Sequence, residues 1–436
     1  GIVPPSFGWG ATMTSSILDT AERLWNGEIA IEDAHPLVDP LRTTGAYEEV
    51  ARDTIFMATL ANITAFRTSD GLVLVDTGLF ALAKMHHERL RTWDSARLNT
   101  AVYSHGHVDH IFGVPPFDEE ASTKGWPAPR VIAHEAMPAR FERYVLTAGY
   151  NSIVNQRQFG FPQPVPWPTT FRDPDVLYRD IHRVDVGGET FEMHHARGET
   201  DDHTWTWIPG RKILCSGDMF IWATPNCGNP QKVQRYPADW ARALREMIAL
   251  QPEKLLPGHG FPVVGAARIK QALSDTADLL EHLHDRTVEM MNAGESLDTI
   301  LHEVKPPRDL IEKPYLRPVY DDPEFIVRNI WRQYGGWYDG NPAHLKPARD
   351  AELAAEIASL SGGATRLAER ARSLSAEGKL RLAAHLAEMA AAAAPDDRAV
   401  HAARAEVFEK FADAEPSVMA KGIYRWAVKE SRDKIP

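Results

Sequence analysis

Cysteine is scarce in this chain: Cys215 and Cys227 are the only two among 436 residues. A framework of several disulfides is therefore excluded, and the composition fits a reducing compartment, so we predict a cytoplasmic protein. The start of the sequence, Gly1 to Pro5, has no basic segment leading into an apolar run, so no signal peptide is recognisable. A precursor that has lost such a peptide is compatible with the same sequence.

Long apolar runs and an excess of positive charge are also missing. No stretch approaches the ~18 apolar residues that a membrane-spanning helix needs. The net charge of −12 makes nucleic acids and anionic membranes poor partners. A small anionic substrate is still compatible with this charge, because one local basic pocket can override the overall balance. We therefore expect no nucleic-acid partner and no membrane span.

What the chain does contain is the composition of a folded globular protein, with 44% hydrophobic and 25% charged residues. From Thr54 onwards, short apolar runs are separated by turns, and Asp70-Gly71 predicts a hairpin. A helical pattern (79–93) and a strand (100–103) follow. This alternation predicts an α/β fold in which functional residues lie just after strands.

The patterns divide the chain into consecutive parts. We predict an N-terminal lead-in at 1–50, an α/β domain at 51–262 with an insertion at 140–175, a helical extension and junction at 263–345, and a helical domain at 346–436. The insertion contains Phe159, Phe161 and Trp167 in an irregular, proline-rich segment, which is typical of a lid over a site. These rings are candidates for sheltering an apolar substrate tail. A purely structural cover is the alternative.

The C-terminal part contains Ala- and Leu-rich amphipathic segments at about 349–360, 363–374, 379–394 and 396–412, with a last helix near 417–431. Stacked helix pairs and a plain helical bundle are both compatible with this spacing. We expect this part to serve packing and assembly. The prediction is a homodimer or a higher homo-oligomer.

The strongest signal is the segment Ser104-His105-Gly106-His107-Val108-Asp109-His110, which holds four potential metal ligands in six positions. His105 and His107 point the same way from an extended backbone, so they can bind one ion. Asp109 and His110 follow the bend and can face a second ion. Imidazoles with a carboxylate suit Zn²⁺, Fe²⁺ or Mn²⁺ better than Ca²⁺ or Mg²⁺.

Two further candidates occur where strands should end. Asp218 follows an apolar run in Leu214-Cys215-Ser216-Gly217-Asp218, and its carboxylate could bridge two ions. His259 follows another in Leu255-Leu256-Pro257-Gly258-His259-Gly260. Each signal alone is weak, but together with the 105–110 cluster they predict one dinuclear metal site.

The order of these motifs resembles that of the metallo-β-lactamase superfamily over residues 54–262. Asp76 in Val75-Asp76-Thr77-Gly78, the 105–110 cluster, Asp218 and His259 carry the resemblance. It implies an αββα sandwich with two metals at the edge between the sheets, followed here by an all-helical C-terminal domain. It also implies that Asp76 holds the cluster loop by hydrogen bonds without binding metal.

One motif points to the alkyl-sulfatase-like branch of this superfamily. Where most members have histidine in a Pro-Gly-His-Thr turn, this chain has Glu199 in Arg197-Gly198-Glu199-Thr200, and alkyl sulfatases use a carboxylate there. The segment 334–342 and the helices after it resemble the alkyl sulfatase dimerisation domain. The resemblance to this branch then covers most of residues 50–430.

The chain also departs from that branch. Typical alkyl sulfatases have Glu in an Ala-Glu-Asn segment where this chain has Gly217-Asp218, and they carry a sterol-carrier-like domain that is not expected here. Residues 226–235 only loosely resemble their sulfate-binding stretch. Within it, Asn229, Lys232 and Arg235 are candidates for holding an anionic group, and exposed surface charges are the alternative.

The resemblance implies that His105, His107 and Glu199 bind one metal, that Asp109, His110 and His259 bind the other, and that Asp218 bridges them. Two ions ~3.5–4 Å apart lower the pKa of a shared water towards ~7, so a bridging hydroxide can attack an ester. We expect zinc, with Mn²⁺ or Fe²⁺ as alternatives. Asp109 and Asp218 take part in catalysis as ligands, and His203 is a candidate general acid.

The leading functional interpretation is hydrolysis of a sulfate ester of an apolar alkyl or aryl alcohol. Carboxylic esters, lactones, phosphate esters and activated aryl ethers are alternatives within the same chemistry. A non-haem iron redox enzyme is a second class, because related folds hold iron. A catalytically silent scaffold is a third, and the full set of metal-ligand candidates argues against it.

Overall fold

The computed structural model describes residues 16–39 and 45–435, so residues 1–15 and 40–44 of the predicted lead-in lie outside the described residues. The chain forms two compact units. The first is built from residues up to 148, from 168–290 and from 303–333; the second from 149–167, from 291–302 and from residue 334 onwards. The sequence predicts consecutive domains, whereas these units are interleaved along the chain.

The first unit contains a seven-stranded sheet in which the strands follow the order of the chain. The pairs β1–β2, β2–β3 and β3–β4 are antiparallel, and the pairs β4–β5, β5–β6 and β6–β7 are parallel. The hairpin predicted at Asp70-Gly71 joins β3 and β4. The strands are β1 (Ala46–Ala51), β2 (Thr54–Ala58), β3 (Ile63–Thr68), β4 (Gly71–Val75), β5 (Leu98–Val102), β6 (Arg130–His134) and β7 (Val176–Tyr178).

The same unit contains a six-stranded sheet in the order β13-β12-β11-β10-β9-β8. Only β11 and β12 are parallel to each other within it. Its strands are β8 (Ile181–Val186), β9 (Glu189–His195), β10 (Thr204–Ile208), β11 (Ile213–Gly217), β12 (Lys254–Pro257) and β13 (Val263–Val264).

Apolar contacts join the two sheets and cover the outer face of the first. The rings of Phe66 on β3 and Phe191 on β9 meet edge to face, with centroids 5.4 Å apart. On the outer face, Leu90, Phe117 and Phe141 pack with strand residues in one buried cluster. These three residues belong to α2 (Ala83–Trp93), α3 (Pro115–Lys124) and α4 (Met137–Leu146).

The remaining helices before the C-terminal region include α1 and a long helix within the predicted helical extension at 263–345. They are α1 (Ile17–Trp25), α6 (Pro237–Ala249), α7 (Ala266–Asn292), α8 (Leu297–Glu303), α9 (Arg308–Ile311) and α10 (Pro323–Gly335). The two sheets with their helices confirm the predicted αββα sandwich followed by a helical region.

The second unit is helical, and it includes part of the predicted insertion. Its helices are α5 (Ala148–Phe159), α8 except for its last residue, α11 (Asp350–Ser361), α12 (Ala364–Ala376), α13 (Leu380–Ala393), α14 (Arg398–Ala414) and α15 (Val418–Arg432). Gly422 of α15 approaches α5 so closely that a Cβ there would lie 2.1 Å from the carbonyl oxygen of Gln158. The sequence predicts irregular structure in the insertion, and this prediction is wrong for residues up to Phe159, because they form the regular helix α5. Within residues 16–39 and 45–435, no helix is long and apolar enough to cross a membrane.

Candidate metal centre

The loop after β5 carries the histidine cluster, and Asp76, just after β4, holds this loop. The Asp76 carboxylate accepts hydrogen bonds from the backbone N–H of Ser104 at 2.8 Å, from the Ser104 hydroxyl at 2.9 Å and from Nδ1–H of His110 at 2.8 Å. β4 and β5 are parallel neighbours, so their ends lie side by side. With its Nδ1 engaged in this way, His110 turns its Nε2 towards the site.

The ligand atoms of His105, His107 and Asp218 lie within 4.8 Å of one another, and we call these residues the first ligand group. Nε2 of His105 is 2.8 Å from Nδ1 of His107 and 3.7 Å from Oδ2 of Asp218. Oε1 of Glu199 lies 3.5 Å from Nδ1 of His107. Glu199 therefore faces the first group, where the resemblance implies a ligand.

Asp109, His110 and His259 form a second ligand group with the same spacing limit of 4.8 Å. Oδ2 of Asp109 is 3.7 Å from Nε2 of His110 and 3.6 Å from Nε2 of His259. Asp218 also reaches this group, because its carboxylate oxygens lie 3.5 Å from Nε2 of His110 and 3.2 Å from Nε2 of His259. One carboxylate thus stands between the two groups.

The parallel ends of β11 and β12 place Asp218 and His259 together. The N–H of Gly258 donates to the carbonyl of Gly217 at 2.8 Å, and a Cβ on Gly258 would lie 2.3 Å from Oδ1 of Asp218. Only glycine leaves room for the carboxylate at this position. Nδ1 of His259 is fixed by the carbonyl of Leu60 at 2.5 Å, which aims Nε2 at the ligand groups.

The electrostatics of the two groups differ. Burial, reinforced by the charge of neighbouring imidazoles or of Arg235, lowers the pKa of His105 and His107 well below the usual value, so both are neutral and able to bind metal. Burial acts in the same direction on His110 and His259, but the nearby carboxylates, Asp218 foremost and Asp109 with it, outweigh burial and raise the pKa of both. The field around the second group therefore favours positive charge.

Unpaired atoms in the site fit metal binding. Within the described ranges 16–39 and 45–435, Nε2 of His110, Oε2 of Glu199 and Oδ1 of Asp218 are buried without a hydrogen-bond partner. Leaving such atoms unsatisfied is costly, and a cation would satisfy all three. Imidazoles and carboxylates are the donors that Zn²⁺, Mn²⁺ and Fe²⁺ accept. The residues therefore fit divalent ions.

Glu199 is held by two polar side chains from the segment 226–235. The amide of Asn226 donates a hydrogen bond to Oε1 of Glu199, and Nη2 of Arg235 lies 3.4 Å from the same oxygen. Burial first and then the Asp218 charge raise the pKa of Glu199 well above its usual value. In the part of the chain that the structure describes, the Nε and Nη1 donors of Arg235 are buried without a partner.

Two further side chains place charge or a hydroxyl beside the ligands. The half-buried ammonium of Lys232 interacts electrostatically with Asp109 and Glu199. The phenol of Tyr320 is buried, and burial followed by the charges of Glu199 and Asp109 raises its pKa well above the usual value. Tyr320 comes from the segment before α10, which the sequence did not connect to the site.

Asn229 takes part in the hydrogen bonds that shape the loop after Asn226. Its side-chain oxygen accepts the N–H of Gln231 at 3.2 Å, as in a turn, and its backbone N–H donates to the buried carboxylate of Asp321 at 3.2 Å. Asp321 also accepts the N–H of Gly228 at 2.5 Å. These contacts shape the loop that presents Asn226 to Glu199, so substrate binding by Asn229 stays a prediction without a supporting contact.

One ring nitrogen of His203 is occupied by a backbone contact, and its general-acid role stays a prediction. Its Nε2 accepts the backbone N–H of Asp218 at 3.0 Å, so this nitrogen carries no proton to donate. Its ring stacks on that of His105 with centroids 5.0 Å apart. Burial lowers its pKa to about 4, which keeps the imidazole neutral at neutral pH. The contacts favour a role for His203 in fixing Asp218.

The aromatic residues predicted to shelter a substrate tail lie in the second unit. Phe159, Phe161 and Trp167 all belong to residues 149–167 of that unit, and the rings of Phe159 and Phe161 lie 5.9 Å apart. Their predicted contact with a substrate tail stays a prediction.

Two parts of this chain match families of known proteins. Residues 58–259 match the family model described as the metallo-beta-lactamase superfamily, and residues 296–434 match the one described as alkyl sulfatase dimerisation. A linear primary-alkylsulfatase from Pseudomonas sp. is 28% identical over 386 residues, which cover 84% of this chain and 73% of that protein. An (R)-specific secondary-alkylsulfatase from Pseudomonas sp. is 26% identical, covering 86% of this chain and 60% of that protein.

Among solved structures, the stereoselective inverting sec-alkylsulfatase Pisa1 from Pseudomonas sp. is similar with a TM-score of 0.80 at 24% identity, covering 89% of this chain and 66% of that chain. A double mutant of PisA1 gives a TM-score of 0.82. These structures share the fold. The chain therefore contains a metallo-β-lactamase superfamily domain followed by an alkyl sulfatase dimerisation domain, and its alkylsulfatase relatives support the alkyl-sulfatase-like branch of that superfamily.

Proposed function

We propose that this protein is a metal-dependent hydrolase of sulfate esters of apolar alcohols. The observation that carries the proposal is the position of the Arg235 guanidinium, which is buried beside Glu199 with two donor nitrogens that have no partner within residues 16–39 and 45–435. A buried guanidinium with free donors matches an anionic group that accepts several hydrogen bonds. The alkylsulfatase relatives support the same substrate class.

The two ligand groups fit a pair of divalent ions, with zinc favoured and Mn²⁺ or Fe²⁺ as alternatives. We assign His105, His107 and Glu199 to one ion and Asp109, His110 and His259 to the other, with Asp218 between them. When bound, such ions supply Lewis acidity and a water acidic enough to react at neutral pH. Asp76 contributes by fixing the loop and the ring orientation of His110.

The residues around the ligands select the charge of the reacting group. Arg235 and Lys232 bring two cationic side chains next to Glu199 and Asp109. A sulfate monoester is a single anion with three acceptor oxygens, so these two cationic side chains would bind it. A carboxylic ester or a lactone is uncharged at the reacting group and gains no electrostatic attraction from them. We therefore expect a sulfate ester to bind more strongly than these alternatives.

A substrate panel tests the proposal. Four compounds that share one straight alkyl tail and carry a sulfate, phosphate, carboxylic ester or ether group would be supplied to the purified protein, with metal content measured on the same sample. We expect turnover of the sulfate compound and bound divalent metal. Preferred turnover of the carboxylic ester would contradict sulfate specificity. Bound iron with oxygen uptake would point to the redox class.

Two variants connect the activity to the site. His107→Ala should abolish turnover and lower the metal content, because it removes a member of the first ligand group. His302→Ala, at an exposed position on α8, is the matched control and should retain both. Sulfate turnover by His107→Ala equal to that of the unaltered protein would remove the assignment.

We also propose that the protein forms a homodimer or higher homo-oligomer through its helical unit. The match of residues 296–434 to the dimerisation family supports this assembly. Large apolar side chains are exposed on two helices of that unit, namely Leu353, Leu360 and Leu382. Burying such side chains against a second copy would remove them from water.

A further inference from the structure

The turn between the two histidines of the first ligand group rests on a buried ion pair that is not part of the ligand set. The backbone N–H of Gly106 donates to Oδ2 of Asp202 at 3.0 Å. A Cβ on Gly106 would lie 2.6 Å from Cδ of Arg140 and 3.0 Å from Oδ2 of Asp202. The turn is therefore packed against both members of the pair.

The pair is enclosed and charged. Nε of Arg140, on α4, lies 2.9 Å from Oδ1 of Asp202, and the two side chains are only 2% and 0% exposed. Burial alone would raise the pKa of Asp202, but the charge of Arg140 and the N–H of Gly106 hold it below its usual value. Arg140 also pairs with Asp201, whose side chain is 48% exposed.

Asp202 lies three residues after Glu199, in the same loop. This loop is closed by hydrogen bonds from the N–H of Gly198 to the carbonyl of Thr200 and from the N–H of Ala196 to the carbonyl of His203, both at 3.0 Å. Through Asp202, the Glu199 loop is thus bonded directly to the His105–His107 turn. Arg140 fixes the orientation of the carboxylate that makes this bond.

We propose that Asp202 and Arg140 are positioning residues that set the spacing between the His105–His107 turn and Glu199, and thereby strengthen binding of a divalent ion by the first ligand group. The proposal rests on the metal site proposed above. Residues that orient metal ligands typically change metal affinity by roughly 10- to 100-fold when they are replaced. Because Asp202 accepts a hydrogen bond from the backbone of the His105–His107 turn, loss of the pair should weaken the connection between this turn and the Glu199 loop.

The test compares Asp202→Asn with Asp201→Asn by competition of the zinc-loaded protein with a chelator. Asp202→Asn keeps the shape of the side chain but removes the charge that orients Arg140. We expect it to weaken retention of one ion by roughly 10- to 100-fold. Asp201→Asn also removes a carboxylate that pairs with Arg140, but this residue has no contact with Gly106 in the structure described above. This variant should retain both ions as the unaltered protein does.

Gly106→Ala is a second variant that leaves both charges in place and should weaken the same ion. If circular dichroism shows that Asp202→Asn does not fold, Gly106→Ala takes its place in the test. Unchanged ion retention in Asp202→Asn and Gly106→Ala, beside an unaltered protein that binds two ions, would overturn this inference alone. An equal loss in Asp201→Asn would also overturn it. An unaltered protein that binds no divalent ion would overturn the metal site as well.

Discussion

Nη2 of Arg235 lies 3.4 Å from Oε1 of Glu199, and the two side chains are 1% and 2% exposed. The buried guanidinium of Arg235 therefore lies against the carboxylate assigned to the first ion. It balances the negative charge of Glu199 and still keeps two donors free, Nε and Nη1, within the described part of the chain. The same guanidinium can stabilise a ligand residue and recognise an anionic substrate.

Arg235→Ala should lower kcat/KM for an alkyl sulfate on the order of 100-fold, because it removes preorganised donors from an enclosed site. Arg328→Ala, at an exposed position on α10, is the control and should leave the kinetics unchanged. Steady-state kinetics with metal analysis distinguish the two roles of Arg235. Loss of turnover with full metal content supports substrate recognition, whereas loss of metal points to the support of Glu199. Unchanged kcat/KM would contradict both.

Substrate binding should weaken at alkaline pH. Burial first and then the charge of Arg235 lower the pKa of Lys232 to about 8. The ammonium is positive below this pH and loses its charge as the pH rises through about 8, so KM for an alkyl sulfate should increase there. Lys232→Met should have a raised KM without that rise. Lys84→Met, whose side chain is 88% exposed, should keep the profile of the unaltered protein.

A buried histidine should make the fold sensitive to acid. Nε2–H of His35 donates to the carbonyl of Ile221 at 2.6 Å, Nδ1 accepts the N–H of Leu37 at 3.0 Å, and burial lowers the pKa from 6.5 to about 4. The unfolded chain therefore binds a proton below pH 6.5 that the folded chain binds only near pH 4. The free energy of unfolding should fall between these values, by on the order of 3 kcal/mol from this group.

Urea unfolding at a series of pH values measures that loss. His35→Gln should be less stable at neutral pH, because it disturbs both hydrogen bonds, but its stability should depend less on pH. His302→Gln, at an exposed position, is the control and should show the full pH dependence. An unaltered slope in His35→Gln would show that other groups account for the acid sensitivity.

Charge on the exposed leucines of the helical unit should disrupt assembly. Leu360 is 83% exposed at the end of α11, and Leu353 on the same helix is 50% exposed. Leu353→Glu and Leu360→Glu combined would bury two carboxylates in an interface, so sedimentation should show a smaller species. Leu146→Glu, at an 84% exposed position in the first unit, should retain the original mass. An unchanged mass in the double variant would exclude this surface.

Much of the candidate centre could be predicted because its residues follow recognisable local patterns. The 105–110 cluster is contiguous, and Asp218 and His259 each stand where an apolar strand ends. Parallel pairing of β11 and β12 then brings these two ends together. Strand-end positions are set by the hydrophobic pattern, which is visible in one dimension.

Other parts depend on contacts that no local pattern encodes. Arg140 reaches Asp202 from a helix, and Asp321 reaches the 226–229 loop from the segment before α10. A buried arginine and an exposed one look alike in a sequence. The contact of His203 Nε2 with the N–H of Asp218 is likewise invisible in the sequence. Tertiary hydrogen bonding therefore decides these roles.

The interleaving of the two units constrains the order in which the protein can be assembled during synthesis. Residues 149–167 leave the ribosome long before α15, yet the backbone of Gln158 packs against Gly422. This early piece must wait without its packing partner until translation is nearly complete. A chain that ends before α15 would leave residues 149–167 without this packing partner. The helical unit can therefore be completed only after α15 has been synthesised.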